Sequence, residues 1–361
     1  MSVPAALSGG AEVAVLSVSA TAPDGWDRRT VEVPGGHVMQ GTCWAEHRRA
    51  AGQEPLFVTF SDDRAALVLS RRQRPVGIFV TSRKGPVHAG DAPDRVAARA
   101  HALAGLMRER GGSLLYVDPE IDRSDAYASA MDRAGFEITD PAEPSVHVMR
   151  LPFPPGTTET ALFDSFAKSA KQRIRAAEKA GVTARVDEHG EHLATFAALL
   201  AERSDELGVA LRPEFGALPF SGRLIAAGQA RLYLAEHQTE LLGGLLVYLQ
   251  GGTLATIYSA DRAELRRAYP GVMHLLRWKA IRDALAMGAP WIDLGGVDLP
   301  GHREPPRPDE PSYGLYEHKR SFGAIWVERE QARRAVLRPW VERAAGASRS
   351  VLSLAHRRAG R

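Results

Sequence analysis

The sequence predicts an α/β (α+β) protein built from two tandem copies of one unit, each a mixed sheet flanked by helices, with a basic helical tail at the C-terminus. Three observations predict it. Residues 257–296 read as strand, loop, long helix and short buried strand. The same order of elements occurs earlier, and the interval from first strand to closing aspartate is equal in the two copies: Leu56 to Asp118 and Arg231 to Asp293. At 361 residues the chain also exceeds what one small core organises. Identity between the halves is negligible, so the repeat rests on order and spacing. The predicted boundaries are an N-terminal segment 1–30, a first unit 31–155, a second unit 156–330 and a tail 331–361.

Each element follows from local pattern. Residues 1–30 lack periodicity and read as a loosely attached strand plus linker. Val38–Ala51 predicts a helix with Trp44 inward and Arg48 and Arg49 outward. Three strands follow at Leu56–Phe60, Ala65–Arg71 and Val76–Thr81, supported by alternation and flanking turn residues. A helix over Asp94–Arg110 stops at Gly111-Gly112. A buried strand, Ser113–Asp118, and a helix over Ser124–Ala134 come next. Glu159–Gly181 reads as one amphipathic helix, with Phe163, Phe166, Ala170, Ile174 and Ala177 on its apolar face. The second copy opens with strands at Arg231–His237, Leu242–Gln250 and Thr253–Ser259, and Gly251-Gly252 between the last two signals a hairpin. Helix 272–287 carries Met273, Leu276, Ala280, Ala284 and Met287 on one face and Leu275, Trp278 and Leu285 on another. A helix so widely apolar lies between packed layers. Gly288 predicts a left-handed cap, and Trp291–Leu294 a buried strand that opens into the Gly295-Gly296 loop.

Composition limits the function classes. Hydrophobic content of 44% and charged content of 25% are those of an ordinary globular protein. No apolar run is long enough to span a bilayer, and the N-terminus lacks the charged region of a signal peptide, so a cytoplasmic protein is expected. A single cysteine, Cys43, excludes an internal disulfide, and beside Trp44 it reads as buried and inert. His189 and His192 are the one close histidine pair, and with no cysteine nearby no metal site is expected. Nucleotide loops and a Gly-x-Ser-x-Gly elbow are absent from the sequence. Net charge is only +3, yet from Gln331 onward eight arginines face one glutamate. Such a tail suits an anionic partner, a nucleic acid or a membrane face, and equally a solvated helix. Lys168, Lys171, Arg175 and Lys179 form a stripe along the helix at 164–180 and read either as a solvated face or as a surface for RNA phosphates.

The halves resemble the GNAT-like acyltransferase unit. Its cofactor loop would fall at Arg266-Arg267-Ala268-Tyr269-Pro270-Gly271-Val272, where backbone amides and the helix N-terminus would cradle the CoA pyrophosphate. One glycine is missing and Pro270 removes a donor, which implies an acyl donor of another kind.

Further pieces carry a closer resemblance. They are Val38-Met39-Gln40 with Trp44, Arg83-Lys84-Gly85-Pro86, Val117-Asp118-Pro119-Glu120, and Lys168 to Arg175 with Gly181-Val182. Gly208-Val209 with Arg212-Pro213, Trp291 to Gly296, and Gly314-Leu315-Tyr316 with Lys319 and Phe322-Gly323 complete the set. In this order the chain, over residues 35–330, resembles the FemABX family of non-ribosomal peptidyltransferases, in its compact type without a coiled-coil arm. The resemblance implies an enzyme that moves an amino acid from aminoacyl-tRNA to an amine of a UDP- or lipid-linked muropeptide, at a site between the halves. It needs no cofactor beyond the charged tRNA and calls for no protein partner; contact with an anionic inner membrane face is compatible with it.

The resemblance also implies residue roles. Arg212 falls where an arginine grips the acceptor's phosphates, and Arg48 stands near the place of a phosphate-binding lysine. Lys319 falls at the essential lysine, although the preceding residue here is His318 rather than phenylalanine. A fixed cation suits ester aminolysis because it stabilises the oxyanion and the departing alkoxide. Asp118, at a strand end, is the candidate base, with an Asp-Pro turn as its structural alternative. Asp293 and Gly295 would line the substrate or simply shape the loop, and Tyr258 and Tyr316 would line the site or fill the core. Transfer to a small natural-product acceptor, acyl-CoA N-acylation, or a non-catalytic tRNA- or membrane-binding role are the competing readings.

Overall fold

The computed structural model describes residues 13–73, 77–143, 146–207, 217–297 and 302–338. The chain divides into two units, one formed by residues 35–142 with those before 32 and from 330 onward, the other mainly by residues 143–329.

The first unit begins with β1 (Val15–Ser19), α1 (Trp26–Thr30) and α2 (Thr42–Ala50). The meander β2 (Glu54–Phe60), β3 (Ala65–Gln73) and β4 (Gly77–Ser82) follows, then α3 (Pro93–Glu109), β5 (Gly112–Val117), α4 (Asp125–Arg133) and β6 (Glu137–Ile138). α3 lies between two strands that pair in parallel, β4 and β5, with Ser82 opposite Val117. Its buried face of Val96, Ala100, Leu103, Ala104 and Met107 packs with Val58, Val68, Val80 and Leu115 from the strands. Alternation along each strand places those residues on one side of the pleat.

The second unit repeats the plan. β7 (Val148–Pro152), α5 (Glu159–Ser165), α6 (Lys168–Lys179), β8 (Thr183–Asp187), α7 (Leu193–Leu207) and α8 (Ala217–Ala226) lead into β9 (Ala230–His237), β10 (Glu240–Gln250) and β11 (Thr253–Asp261). Then come α9 (Val272–Ala286), β12 (Trp291–Asp293), α10 (Tyr313–Arg320) and β13 (Ile325–Val327). The strand order is β13-β7-β12-β11-β10-β9-β8. β11 and β12 form the parallel pair, and α9 connects them. As its composition predicts, α9 is buried around much of its circumference, at Leu275, Leu276, Trp278, Ala280, Ile281 and Ala284. Gly288 takes the predicted left-handed conformation at φ 73°, and Gly251 and Gly252 turn the hairpin at φ 61° and 74°. Two mixed sheets with this shared order make the protein α/β, with two GNAT-like units.

Several sequence expectations change. The segment 159–181 is two helices, because Phe166 turns extended (ψ 150°) and buries its ring among Phe163, Trp278 and Phe322. The amide of Ala167 there donates to Ser321 O. The segment 38–51 is likewise broken, into a single 3-10 turn at Val38–Gln40 and α2, with extended Gly41 between them. Asp27 takes up the freed start of α2, accepting from both the amide and the hydroxyl of Thr42. β1 is a full partner of β2 rather than a loose strand. β7, within the stretch assigned to the first unit, pairs with β12 and β13 of the second sheet. The tail does not begin as a helix: Arg333–Val336 forms β14, inserted between β5 and β6 of the first sheet. The rest of the predicted tail, from residue 339, lies outside the described residues. Cys43 is half-buried rather than buried. No helix among the described residues is long and apolar enough to cross a membrane.

Candidate active site

The parallel pair of the second unit is short. Leu254 and Ala255 face Ile292 and Asp293, after which β11 continues to Asp261 while β12 ends. Beyond that point the chain bonds β7 instead: Leu294 N donates to Met149 O, and Met149 N donates to Gly295 O. Asp293 fixes the turn. Its Oδ1 accepts from Gly295 N at 2.7 Å and its Oδ2 from Arg329 Nη2 at 3.1 Å. Gly295 has φ 79°, and a Cβ there would meet Thr256 O at 2.8 Å and Lys319 Nζ at 3.4 Å. Lys319 reaches this notch from α10 and donates to Gly296 O at 2.8 Å, with only 3% of its surface exposed. Asp293, Gly295 and Lys319, separate in sequence, therefore meet where the two parallel strands part, and Thr256 joins them.

The N-terminus of α9 lies in the same unit. Gly271 caps it at φ 86°, and a Cβ there would lie 2.1 Å from Arg173 O, so α6 backbone packs directly onto the cap. Two of the loop's polar side chains are engaged within the unit. Arg266 holds Asp261 by two bonds of 2.9 and 2.7 Å, and Tyr269 Oη lies 3.0 Å from His237 Nδ1. Two cavities open here, of about 440 and 230 Å³, and both are lined by His274 and His318. The two rings meet edge to face, 4.1 Å between centroids. Behind them Arg277, 4% exposed, donates to His318 Nε2 at 3.0 Å and to Ser259 Oγ at 3.4 Å. Burial, reinforced by the Arg277 charge, pushes His274 down to about 4 and His318 well below the ordinary histidine value. Burial likewise lowers Arg277 to about 10. Both imidazoles are therefore neutral at neutral pH.

Asp118, in the first unit, is a loop anchor. Its Oδ2 accepts from Arg83 Nε at 3.0 Å and Tyr116 Oη at 3.2 Å, and its Oδ1 from Lys84 N at 2.6 Å. Burial first, and then the Asp118 charge, push the Tyr116 phenol up. Lys84 adds an ion pair to Glu120 at 3.2 Å. Arg48 donates to Gln53 Oε1 and stacks over Trp44.

Along α6, Lys168, Arg175 and Lys179 are exposed and Lys171 is partly so. Lys171 donates to Asp164 O, and Arg175 lies over the Phe163 ring at 5.5 Å. Tyr258 is partly buried on β11, and burial raises its pKa. Tyr316, on α10, packs on the unit's core beside Tyr313. Arg212 lies outside the described residues. Asp187, Glu191 and His192 also come together, their ligand atoms within 4.8 Å. The Asp187 oxygens there accept the amides of Glu191 and His192, a turn-capping role.

Sequence reasoning missed Thr256, His274 and Arg277. The available signal for Arg277 was its place between Leu276 and Trp278 on a helix apolar around much of its circumference, since a buried charge needs a reason. The histidine pair joins residues far apart in the chain and leaves no local pattern.

Comparison with known proteins places these features. Residues 164–320 match the acetyltransferase (GNAT) domain family. The chain is similar in structure to FemX, with 17% identity and a TM-score of 0.73, covering 89% of this chain and 97% of that one. It is also similar to a conserved protein of unknown function from Bacteroides thetaiotaomicron, with 13% identity and a TM-score of 0.53, covering 86% and 93%. No curated protein matches it by sequence. The resemblance to the FemABX family thus holds at the level of fold, and the matched domain supports an acyltransferase.

Proposed function

We propose that the protein transfers an amino acid from aminoacyl-tRNA to an amine of a peptidoglycan precursor, UDP- or lipid-linked, on the cytoplasmic side of the membrane. The observation that carries this reading is the Lys319 ammonium, buried where β11 and β12 part in a GNAT-like unit. The loop at the start of α9 supports a donor other than acyl-CoA. Its arginine is bound to Asp261, its proline lacks an amide hydrogen, and its glycine is covered by α6.

In this reading the amine lone pair attacks the ester carbonyl and a C–N bond forms. The oxyanion collapses, the C–O bond to the ribose breaks, and the amine's proton passes to the ribose oxygen. Lys319 stabilises the negative oxygen in a site with little water, where a fixed charge is most effective. Asp118 is bound by three donors, so the acceptor's own phosphate is the better relay for the proton. The ester is already activated, so the reading calls for no further cofactor. The stripe on α6 offers charge for the tRNA backbone, and Arg212, Tyr258 and Tyr316 remain candidates for holding the acceptor.

The test is incubation with a pool of charged tRNAs and UDP-linked muropeptide, read by mass spectrometry. A mass increase of one amino acid on the muropeptide, abolished by ribonuclease, is expected. Product that survives ribonuclease and requires acetyl-CoA would overturn the reading.

A further inference from the structure

The His274–His318–Arg277 cluster has a feature that packing alone does not explain. Arg277 is a buried guanidinium whose hydrogen bonds go to an imidazole and a hydroxyl, both neutral, and its Nε has no hydrogen-bond partner. Buried charges are usually paired with an opposite charge. Arginine has only donors, so its bond to His318 Nε2 fixes that nitrogen as the acceptor. The ring proton of neutral His318 then sits on Nδ1. No hydrogen bond to Nδ1 occurs among the described residues, and the ring lines both cavities. A neutral, tautomer-fixed N–H donor is thus left for whatever enters.

We propose that His318 is a ligand-binding residue whose Nδ1–H, committed by Arg277, donates to a ribose or phosphate oxygen of the acyl donor's terminal nucleotide. The identity of the donor rests on the function proposed above; the tautomer and the donor role do not. Arg277 on the adjacent α9 and Lys319 on α10 itself oppose a further proton on the ring, as Arg173 on α6 does on His274. Glu317 and Asp261 line the same cavities, and Asp261 is already held by Arg266. His318 therefore keeps one proton and one role across the neutral range, where an ordinary histidine would change charge. Phenylalanine at this place would keep the ring packing on His274 and Phe322 and lose the donor.

The experiment follows the ring nitrogens of His318 by 15N NMR in the full chain, with adenosine 5′-monophosphate as the probe. The expected result is an Nδ1–H tautomer whose Nδ1 shifts on addition of the nucleotide. Adenosine alone and inorganic phosphate alone then tell ribose from phosphate. His318→Phe should weaken nucleotide binding roughly fivefold or more, the loss of one hydrogen bond. Arg277→Met should release Nε2 and mix the tautomers. An Nε2–H tautomer in the parent protein overturns the proposal, and so does an Nδ1 signal indifferent to the nucleotide. If His318 responds while muropeptide is never aminoacylated, only the functional reading falls; if muropeptide is aminoacylated while His318 stays silent, only this inference does.

Discussion

Lys319 Nζ donates to the carbonyl of Gly296 at 2.8 Å, and the same nitrogen lies 3.4 Å from where a side chain on Gly295 would begin. The lysine is therefore held by the loop that ends β12 and not by solvent. Lys319→Met removes the charge and keeps most of the volume. Transfer should fall by about 10²–10³ while thermal unfolding still shows a folded protein. A fall in rate matched by a loss of fold would assign Lys319 a structural role instead.

Asp293 is the anchor of that loop. Asp293→Asn leaves an oxygen for Gly295 N but strips Arg329 of its carboxylate in a nearly buried pair. Breaking such a pair costs about 3 kcal/mol. Urea unfolding should register a lower midpoint with an unchanged slope. A midpoint equal to the parent's would mean that Arg329 finds compensation elsewhere.

Gly271→Ala tests the contact between α6 and α9. The added methyl would sit on Arg173 O at a backbone φ that disfavours any side chain. A loss of roughly 2 kcal/mol or more is expected, because strain and overlap add. Gly288→Ala serves as control: its φ is also positive, but its Cβ would meet nothing within 4 Å. Equal losses in the two variants would argue against the close approach.

Acid should weaken the second unit through its histidines. His274 is lowered to about 4 in the folded protein, against about 6.5 when unfolded. Between those values the unfolded chain binds more protons, so stability is complete above about pH 6.5 and falls as pH drops toward 4. The loss from this group is at most about 3 kcal/mol. His274→Leu should flatten the urea midpoint over that window relative to the parent. Parallel curves would show that His274 does not titrate as its burial implies.

The α6 stripe should govern affinity for tRNA rather than chemistry. Changing Lys168, Lys171, Arg175 and Lys179 together to Gln should weaken binding and reduce the salt slope of log K by about 3. Turnover at saturating tRNA should change little. An unchanged salt slope would return the stripe to a solvated face.

Much of the second unit was legible because its elements are local. Gly251-Gly252, Gly288 and the apolar circumference of α9 each write their conformation in a few neighbouring residues. β7 and β14 were not legible, since each is a short strand whose partners lie elsewhere in the chain and whose own pattern is weak. The break at Phe166 is a tertiary override: the helical period continues through it, but the ring gains more among Trp278 and Phe322. Lys319 stood out only through the family resemblance. Charge and position in sequence do not distinguish it from Arg320, which is exposed next to it.

The place of β14 sets an order of events during synthesis. β5 leaves the ribosome early, but the strand between it and β6 is made only after all of the second unit. The first sheet must wait, with the edge of β5 open, until Arg333–Val336 is translated. A nascent chain stopped at Arg329 would hold every strand of the second sheet and an unfinished first one.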